Sequence, residues 1–193
     1  MTTNAAVVYR RTMAEDPSVE RMAAESIVRG EGLTIEQALD ALAIRRAAHE
    51  LIDRVEKVLG NASGDEWLEY SDGRCRLKVG VTTRVPAGRL EALNGVLSRS
   101  AIANDVDVVK VVWSTYELEA AQERADEVLD PLWGSIPLST GRDPSANCVV
   151  IDVSDELTAE QLQVVESAVR AARVSVRVTT GGAWATALPA IAR

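Results

Sequence analysis

The sequence predicts an α+β protein in which N-terminal helices are followed by two small antiparallel-sheet α/β units, the second of them ferredoxin-like (βαββαβ). Three observations carry this expectation: helix starts marked by capping residues, a change from helical to strand periodicity after Gly60, and a strand, strand, helix, strand order that occurs twice. At 193 residues and 47% apolar, the chain is long enough to bury a core for one domain or two small ones.

The first two helices are delimited by their ends. "DPSVERMAAESIVRG" offers Asp16 as N-cap, Pro17 at the first helical position and Gly30 as a stop. "TIEQALDALAIRRAAHELIDRVEKVLG" opens with a Thr34/Gln37 capping box and stops at Gly60. Within it Ile35, Leu39, Leu42, Leu51, Ile52, Val55, Val58 and Leu59 recur at helical spacing, the stripe of a packing helix.

"EWLEYSDGRCRLKVGVTT" then reads as a hairpin turning at Ser71, Asp72 and Gly73. Cys75, Leu77, Val79 and Val81 alternate with Arg74, Arg76, Lys78 and Gly80, so one face is apolar and the other wet. A helix follows from Pro86 with Leu90, Leu93 and Leu97 on one side, weakened by Gly95, and a β-branched strand runs from Val106 to Trp113.

From Ser114 the pattern starts again. Ser114 and Glu117 cap a helix reaching about Leu129, with Tyr116, Leu118, Ala121, Ala125 and Leu129 apolar. Trp133 to Leu138 and Cys148 to Val153 are expected to pair as antiparallel strands across the turn-rich "STGRDPSAN". Thr158 and Gln161 cap the last helix, and "RVSVRVTT" closes with Val174, Val176 and Val178 facing one way. The echo therefore covers residues 67 to 113 and 133 to 180. Adding the strand at 106 to 113 and its helix to the later copy yields βαββαβ, with one sheet face free of helices. The expected division is 1–103 for the helices and first ββα portion, 104–180 for the ferredoxin-like portion, and 181–193 for a flexible C-terminal tail.

Charge and motifs narrow the function. A net charge of −8 repels phosphate backbones, which argues against nucleic acid. No apolar stretch approaches a membrane span, and the first twenty residues carry acid and proline where an export signal needs an apolar run, so neither a membrane partner nor a signal peptide is expected. The compartment stays open. GxSxG, GDSGG, GxxxxGK[ST] and HExxH are absent, and no metal or cofactor is expected. The one histidine, His49, lies among helix formers, so a hydrolase would have to converge it with a serine and an acid such as Asp152 or Asp155. Cys75 and Cys148 could pair or simply pack, and are expected as buried small apolar residues. With no phenylalanine, Trp67, Trp113 and Trp133 join the leucines and valines in the expected core.

Several stretches taken in order carry a resemblance. "GLTIEQALDALAIRRAAHELIDRVEKVLG", "EWLEYSDGRCRLKVGVT", "VKVVWSTYELEAAQERADEVL" and "GRDPSANCVVIDVSDELTAEQ" are similar, respectively, to the opening helix, the Trp-containing hairpin, the strand with its Tyr-x-Leu cap and helix, and the Asp-Pro-x-x-Asn-x-Val-Val-Val signature of one family. That family is the pro-segments of alpha-lytic protease-like, chymotrypsin-like bacterial serine proteases, and the resemblance covers most of the chain.

The resemblance implies a chaperone rather than an enzyme. Pro-segments of this family catalyse folding of their own protease and then inhibit it until digested. They add a strand of their C-terminal sheet to the protease and lay a terminal tail in the substrate cleft. Carried onto this sequence, the docking strand is Arg173, Val174, Ser175, Val176, Arg177, Val178, Thr179 and Thr180, and the cleft-binding tail begins with Gly181, Gly182, Ala183 and Trp184. The implied partner is a chymotrypsin-like serine protease domain. The alternative is a free-standing protein-interaction or self-association module.

Overall fold

The computed structural model describes residues 17–31, 33–71, 74–153, 157–180 and 183–184. Helix α1 (Pro17–Glu31) packs on helix α2 (Ile35–Leu59). The start of α2 is fixed by the expected capping box: Thr34 Oγ1 accepts from the Gln37 N–H at 3.2 Å, and Gln37 Oε1 accepts from the Thr34 N–H at 2.8 Å. Its end is Gly60 at φ 53, where the Leu59 carbonyl accepts from the Arg89 guanidinium. Gly30 falls inside α1, and Asp16 lies outside the described residues.

The buried face of α2 is Ala38, Ala41, Ile44, Ala48, Leu51, Val55 and Leu59. Its second half follows the expected stripe. In its first half alanines take the inner positions, and Ile35 and Leu39 are exposed instead. The spacing of three and four residues is kept, with small side chains inside.

Strand β1 (Ser63–Ser71) pairs antiparallel with β2 (Arg74–Thr82), and helix α3 (Ala87–Leu97) crosses over to β3 (Val106–Val111), which runs parallel to β2. Cys75, Leu77, Val79 and Val81 are buried beneath α2 and Leu93 of α3, as the alternation requires. Two glycines let the strands cross closely at one end: a Cβ on Gly80 would lie 2.7 Å from the Asp65 carbonyl oxygen, and one on Gly64 2.6 Å from Val111 Cγ2.

Helix α4 (Thr115–Leu129) opens the second unit, again on a capping box, this time between Ser114 and Glu117. Strands β4 (Leu138–Asp143) and β5 (Cys148–Val153) are antiparallel, and helix α5 (Ala159–Ala172) leads to β6 (Val176–Thr180), parallel to β5. The two-residue strand β7 (Ala183–Trp184) returns antiparallel on β6, giving the sheet order β4-β5-β6-β7. The core joins Leu118, Ala121, Ala125 and Leu129 of α4 to Val149, Ile151 and Val153 of β5 and to Val165, Ala168 and Ala172 of α5.

The architecture is α+β, with N-terminal helices ahead of two small units of like topology. Three finer expectations are corrected. Both sheets are mixed rather than antiparallel, because each ββ hairpin is followed by a helical crossover to a parallel strand. The second unit is not βαββαβ: the crossover through α3 delivers β3 beside β2, where its ladder bonds are used, so the first unit runs to Val111 rather than ending at residue 103. Strand β4 begins at Leu138, not Trp133, and continues through Ser139 to Asp143; Trp133 makes only an isolated bridge to Ile136. The turn is confined to Pro144 to Asn147, where Asp143 Oδ1 accepts from Ser145 Oγ at 2.6 Å and the Ala146 N–H at 3.0 Å, and Asn147 takes φ 49.

The tryptophans are less central than expected. Trp113 packs against the second core, Trp133 is 45% exposed, and Trp67 is half-buried.

Candidate docking surface

The expected docking strand begins later than the sequence suggests. Arg173 is the left-handed C-cap of α5 at φ 59, and Val174 is buried in the core. The Ser175 carbonyl accepts from the Val149 N–H at 3.0 Å, which sets the register of β6 on β5: Val176 opposite Val149, Arg177 opposite Val150, Val178 opposite Ile151, Thr179 opposite Asp152 and Thr180 opposite Val153. Val174, Val176 and Val178 face the core, as the alternation predicts.

That register decides which backbone groups face outward. In a parallel ladder alternate residues of a strand bond to one neighbour, so with Ser175 bonded to β5 the N–H and C=O of Val176 and Val178 point to the outer edge. Strand β7 covers this edge only at Thr179, opposite Trp184, and Thr180, opposite Ala183. Among the described residues, Val176 and Val178 have no strand beside them on that side. Such an edge is a template for another chain. Gly181 and Gly182, expected as the tail's flexible join, lie outside the described residues, while Ala183 and Trp184 are the residues of β7.

Beside the edge lies the sheet face turned away from α4 and α5. Cross-strand register places Ser139, Gly141 and Asp143 of β4, Val150 and Asp152 of β5, and Arg177 and Thr179 of β6 on it. A shallow cleft of about 300 Å³ runs over it, lined among others by Gly141, Asp143, Val150, Asp152 and Arg177. Its polar groups are cross-linked. Arg177 Nη2 is 2.7 Å from Asp143 Oδ2, and Asp152 accepts from the Thr179 hydroxyl and from Ser139 Oγ. Burial works to raise the Asp143 pKa, but the Ser145 hydroxyl, the Ala146 N–H and the Arg177 guanidinium outweigh it and hold the carboxyl below its usual range. Burial raises the pKa of the Cys148 thiol, with Asp143 adding to the effect and Arg177 opposing it. One ion pair, Arg177 with Asp143, and the contacts of the Ser139 and Thr179 hydroxyls with Asp152 tie the three strands together on this face.

Of the residues a hydrolase would need, His49 and Asp152 lie in different units. His49 is exposed on α2 in the first unit, Asp152 is engaged by Ser139 and Thr179 in the second, and Asp155 lies outside the described residues. Cys75 and Cys148 are both buried free thiols, as expected. Among the described residues no cluster of three or more His, Cys, Asp or Glu side chains could hold a metal ion, and no helix is long and apolar enough to cross a membrane.

What the sequence did not reveal is how the units are joined. The Asn147 carboxamide ties the β4-β5 turn to the chain leaving β3, and Arg142 Nη1 lies 3.1 Å from both Asp65 of β1 and Glu119 of α4. "Asp-Pro-x-x-Asn" signals a turn, and nothing in the spacing signals its reach of 34 residues to Trp113. No protein-family model and no curated protein matches this chain.

Proposed function

We propose that the chain is a folding chaperone and tight-binding inhibitor of a chymotrypsin-like serine protease domain, docking by strand addition at β6 and placing the segment from Gly181 to Trp184 in the substrate cleft. The observation that carries this reading is the outer edge of β6, where, among the described residues, Val176 and Val178 have no strand beside them and β7 pairs only at Thr179 and Thr180. Among the described residues, a partner hairpin adding there replaces the two pairs that β7 makes, Thr179 with Trp184 and Thr180 with Ala183.

A binder speeds folding only by holding the folding transition state more tightly than the intermediate before it. An edge does this when the partner strand that it completes forms in that transition state. The same edge then binds the finished fold, which makes the chaperone an inhibitor. In this reading the chain supplies no catalytic group.

The test is inhibition of mature bacterial chymotrypsin-like proteases by the purified chain, repeated with residues 181–193 deleted. Tight inhibition that weakens on deletion is expected; no inhibition by the full chain refutes the reading. One observation favours a second reading, a self-association module. Among the described residues the outer edge of β3 also has no strand beside it, with Val108 42%, Val112 60% and Tyr116 67% exposed along and just beyond it. Light scattering showing a stable oligomer without protease affinity is the result that reading requires.

A further inference from the structure

The first unit contains a cleft that the docking surface does not use. It has a volume of about 590 Å³ and lies between α1, α2 and β1. Helix α2 contributes Arg45, His49 and Ile52, which lie three or four residues apart and so share one stripe. The stripe changes character along its length, with Arg45 and then His49 at one end and Ile52 about 10 Å along the axis from Arg45. Ile27 of α1 and Leu68 of β1 add to the apolar lining.

Two electrostatic contacts orient the stripe over the sheet. Arg45 acts on the thiol of Cys75, which pairs with Tyr70 across the hairpin, whereas Glu56, one turn beyond Ile52, acts on Glu66. Glu66 and Tyr70 are four residues apart on β1, about 13 Å. The basic end of the cleft therefore lies at Tyr70 and the Glu66 carboxyl at the other end, with Ile52 and Leu68 between them. Glu66 is no counter-ion for Arg45. Its Oε1 is buried, the charges acting on it are Glu56, Asp65 and Arg142, and burial, then Glu56 and Asp65, raise its pKa to about 7 against its backbone N–H and Arg142. Among the described residues no acid pairs with Arg45.

A guanidinium without a counter-ion, with an imidazole one turn away and apolar side chains beyond, is complementary to an anion carried on a hydrocarbon. We propose that this cleft binds an alkyl carboxylate, with the Arg45 guanidinium donating to its oxygens, His49 supplying a further ring N–H, and the carbon chain lying against Ile27, Ile52 and Leu68. The planar fork of a guanidinium matches the two oxygens of a carboxylate. An ammonium in its place meets like charge, and an alcohol leaves the guanidinium without a counter-ion. No protease partner is involved.

The test is calorimetric titration of the full chain at pH 6, where Glu66 is mostly protonated, with n-hexanoate, n-hexanol, n-hexylamine and acetate. Saturable hexanoate binding is expected, at least tenfold tighter than each of the other three, acetate failing because it lacks the carbon chain. Arg45→Gln is expected to weaken hexanoate at least tenfold, and Arg45→Lys to weaken it less because the charge is kept. Lys57→Gln removes an exposed charge from the same helix away from the cleft, and is expected to leave hexanoate binding unchanged. Hexanol or hexylamine binding as tightly as hexanoate, hexanoate affinity unchanged in Arg45→Gln, or an equal loss in Lys57→Gln overturns the proposal.

Discussion

The Asn147 carboxamide holds the Trp113 peptide from both sides: Oδ1 accepts from the Trp113 N–H at 2.8 Å, and Nδ2 donates to the Trp113 carbonyl at 2.9 Å. Oδ1 also accepts from the Val112 N–H at 3.0 Å. One side chain thus satisfies three backbone groups where the chain passes from the first sheet to the second core. It does so from a left-handed backbone, φ 49, which asparagine tolerates better than most residues.

Asn147→Ala is expected to destabilise the protein by about 2–3 kcal/mol, since it strands those backbone groups and keeps an unfavourable φ. Asn147→Asp retains the acceptor and loses the donor, so about half that cost is expected. Urea denaturation of the three proteins gives both values. Equal stability of wild type and Asn147→Ala would show that water replaces the amide.

Arg142 bridges the units by a different means. Its partner Asp65 has a side chain only 8% exposed, so removing the guanidinium leaves a buried acid uncompensated. Arg142→Ala is expected to cost about 3 kcal/mol. Combining it with Asp65→Asn should recover most of the loss, because the stranded charge is gone. A double-mutant cycle in urea checks this, and purely additive losses would count against the coupling.

Glu66 gives the pH dependence an uncommon sign. Its pKa is raised on folding from 4.5 to about 7, so the folded chain binds its proton more tightly than the unfolded chain. Stability therefore falls as pH rises from about 4.5 through about 7, opposite to the usual carboxylate case. Because the group is partly exposed, solvent screening reduces the effect, and Glu66→Gln is expected to stabilise by about 1–2 kcal/mol at pH 8 with little change at pH 4.5. Thermal melts at the two pH values measure it. A stabilisation equal at both would assign the effect to packing instead of charge.

Val178→Pro separates docking from folding. The Val178 N–H faces the outer edge rather than β5, so proline removes the donor offered at that edge without breaking the β5-β6 ladder. Val178 is only partly buried, so a stability loss of about 1 kcal/mol or less is expected from the core side. Protease inhibition, by contrast, should weaken at least tenfold. Inhibition unchanged in the variant would exclude strand addition at this edge.

Local chemistry was legible in the sequence wherever a side chain meets its own backbone. The boxes at Thr34/Gln37, Ser114/Glu117 and Thr158/Gln161 all form, and the alternation of Cys75, Leu77, Val79 and Val81 places them in one core. The repeated order of strand, strand, helix and strand also survives as two like-built sheets. Sheet membership was not legible. The valine-rich stretch from Val106 fits either sheet by composition, and only the crossover through α3 assigns it to β2. Ser139 to Asp143 read as a turn because its residues are small and polar, whereas on an edge strand with one face in solvent those residues suffice. Strand β6 was anticipated, but its true start was hidden because Arg173 continues the alternation while its backbone caps α5. Glu66 could not be singled out, since its burial depends on α2 lying over β1.

The most direct test of the central claim is the refolding of a denatured bacterial chymotrypsin-like protease domain, with and without one equivalent of this chain. The account predicts recovery accelerated by orders of magnitude, with the product held inactive until the chain is digested, and loss of both effects with Val178→Pro. Refolding at the same slow rate with and without the chain, across proteases that it does not inhibit, would contradict it.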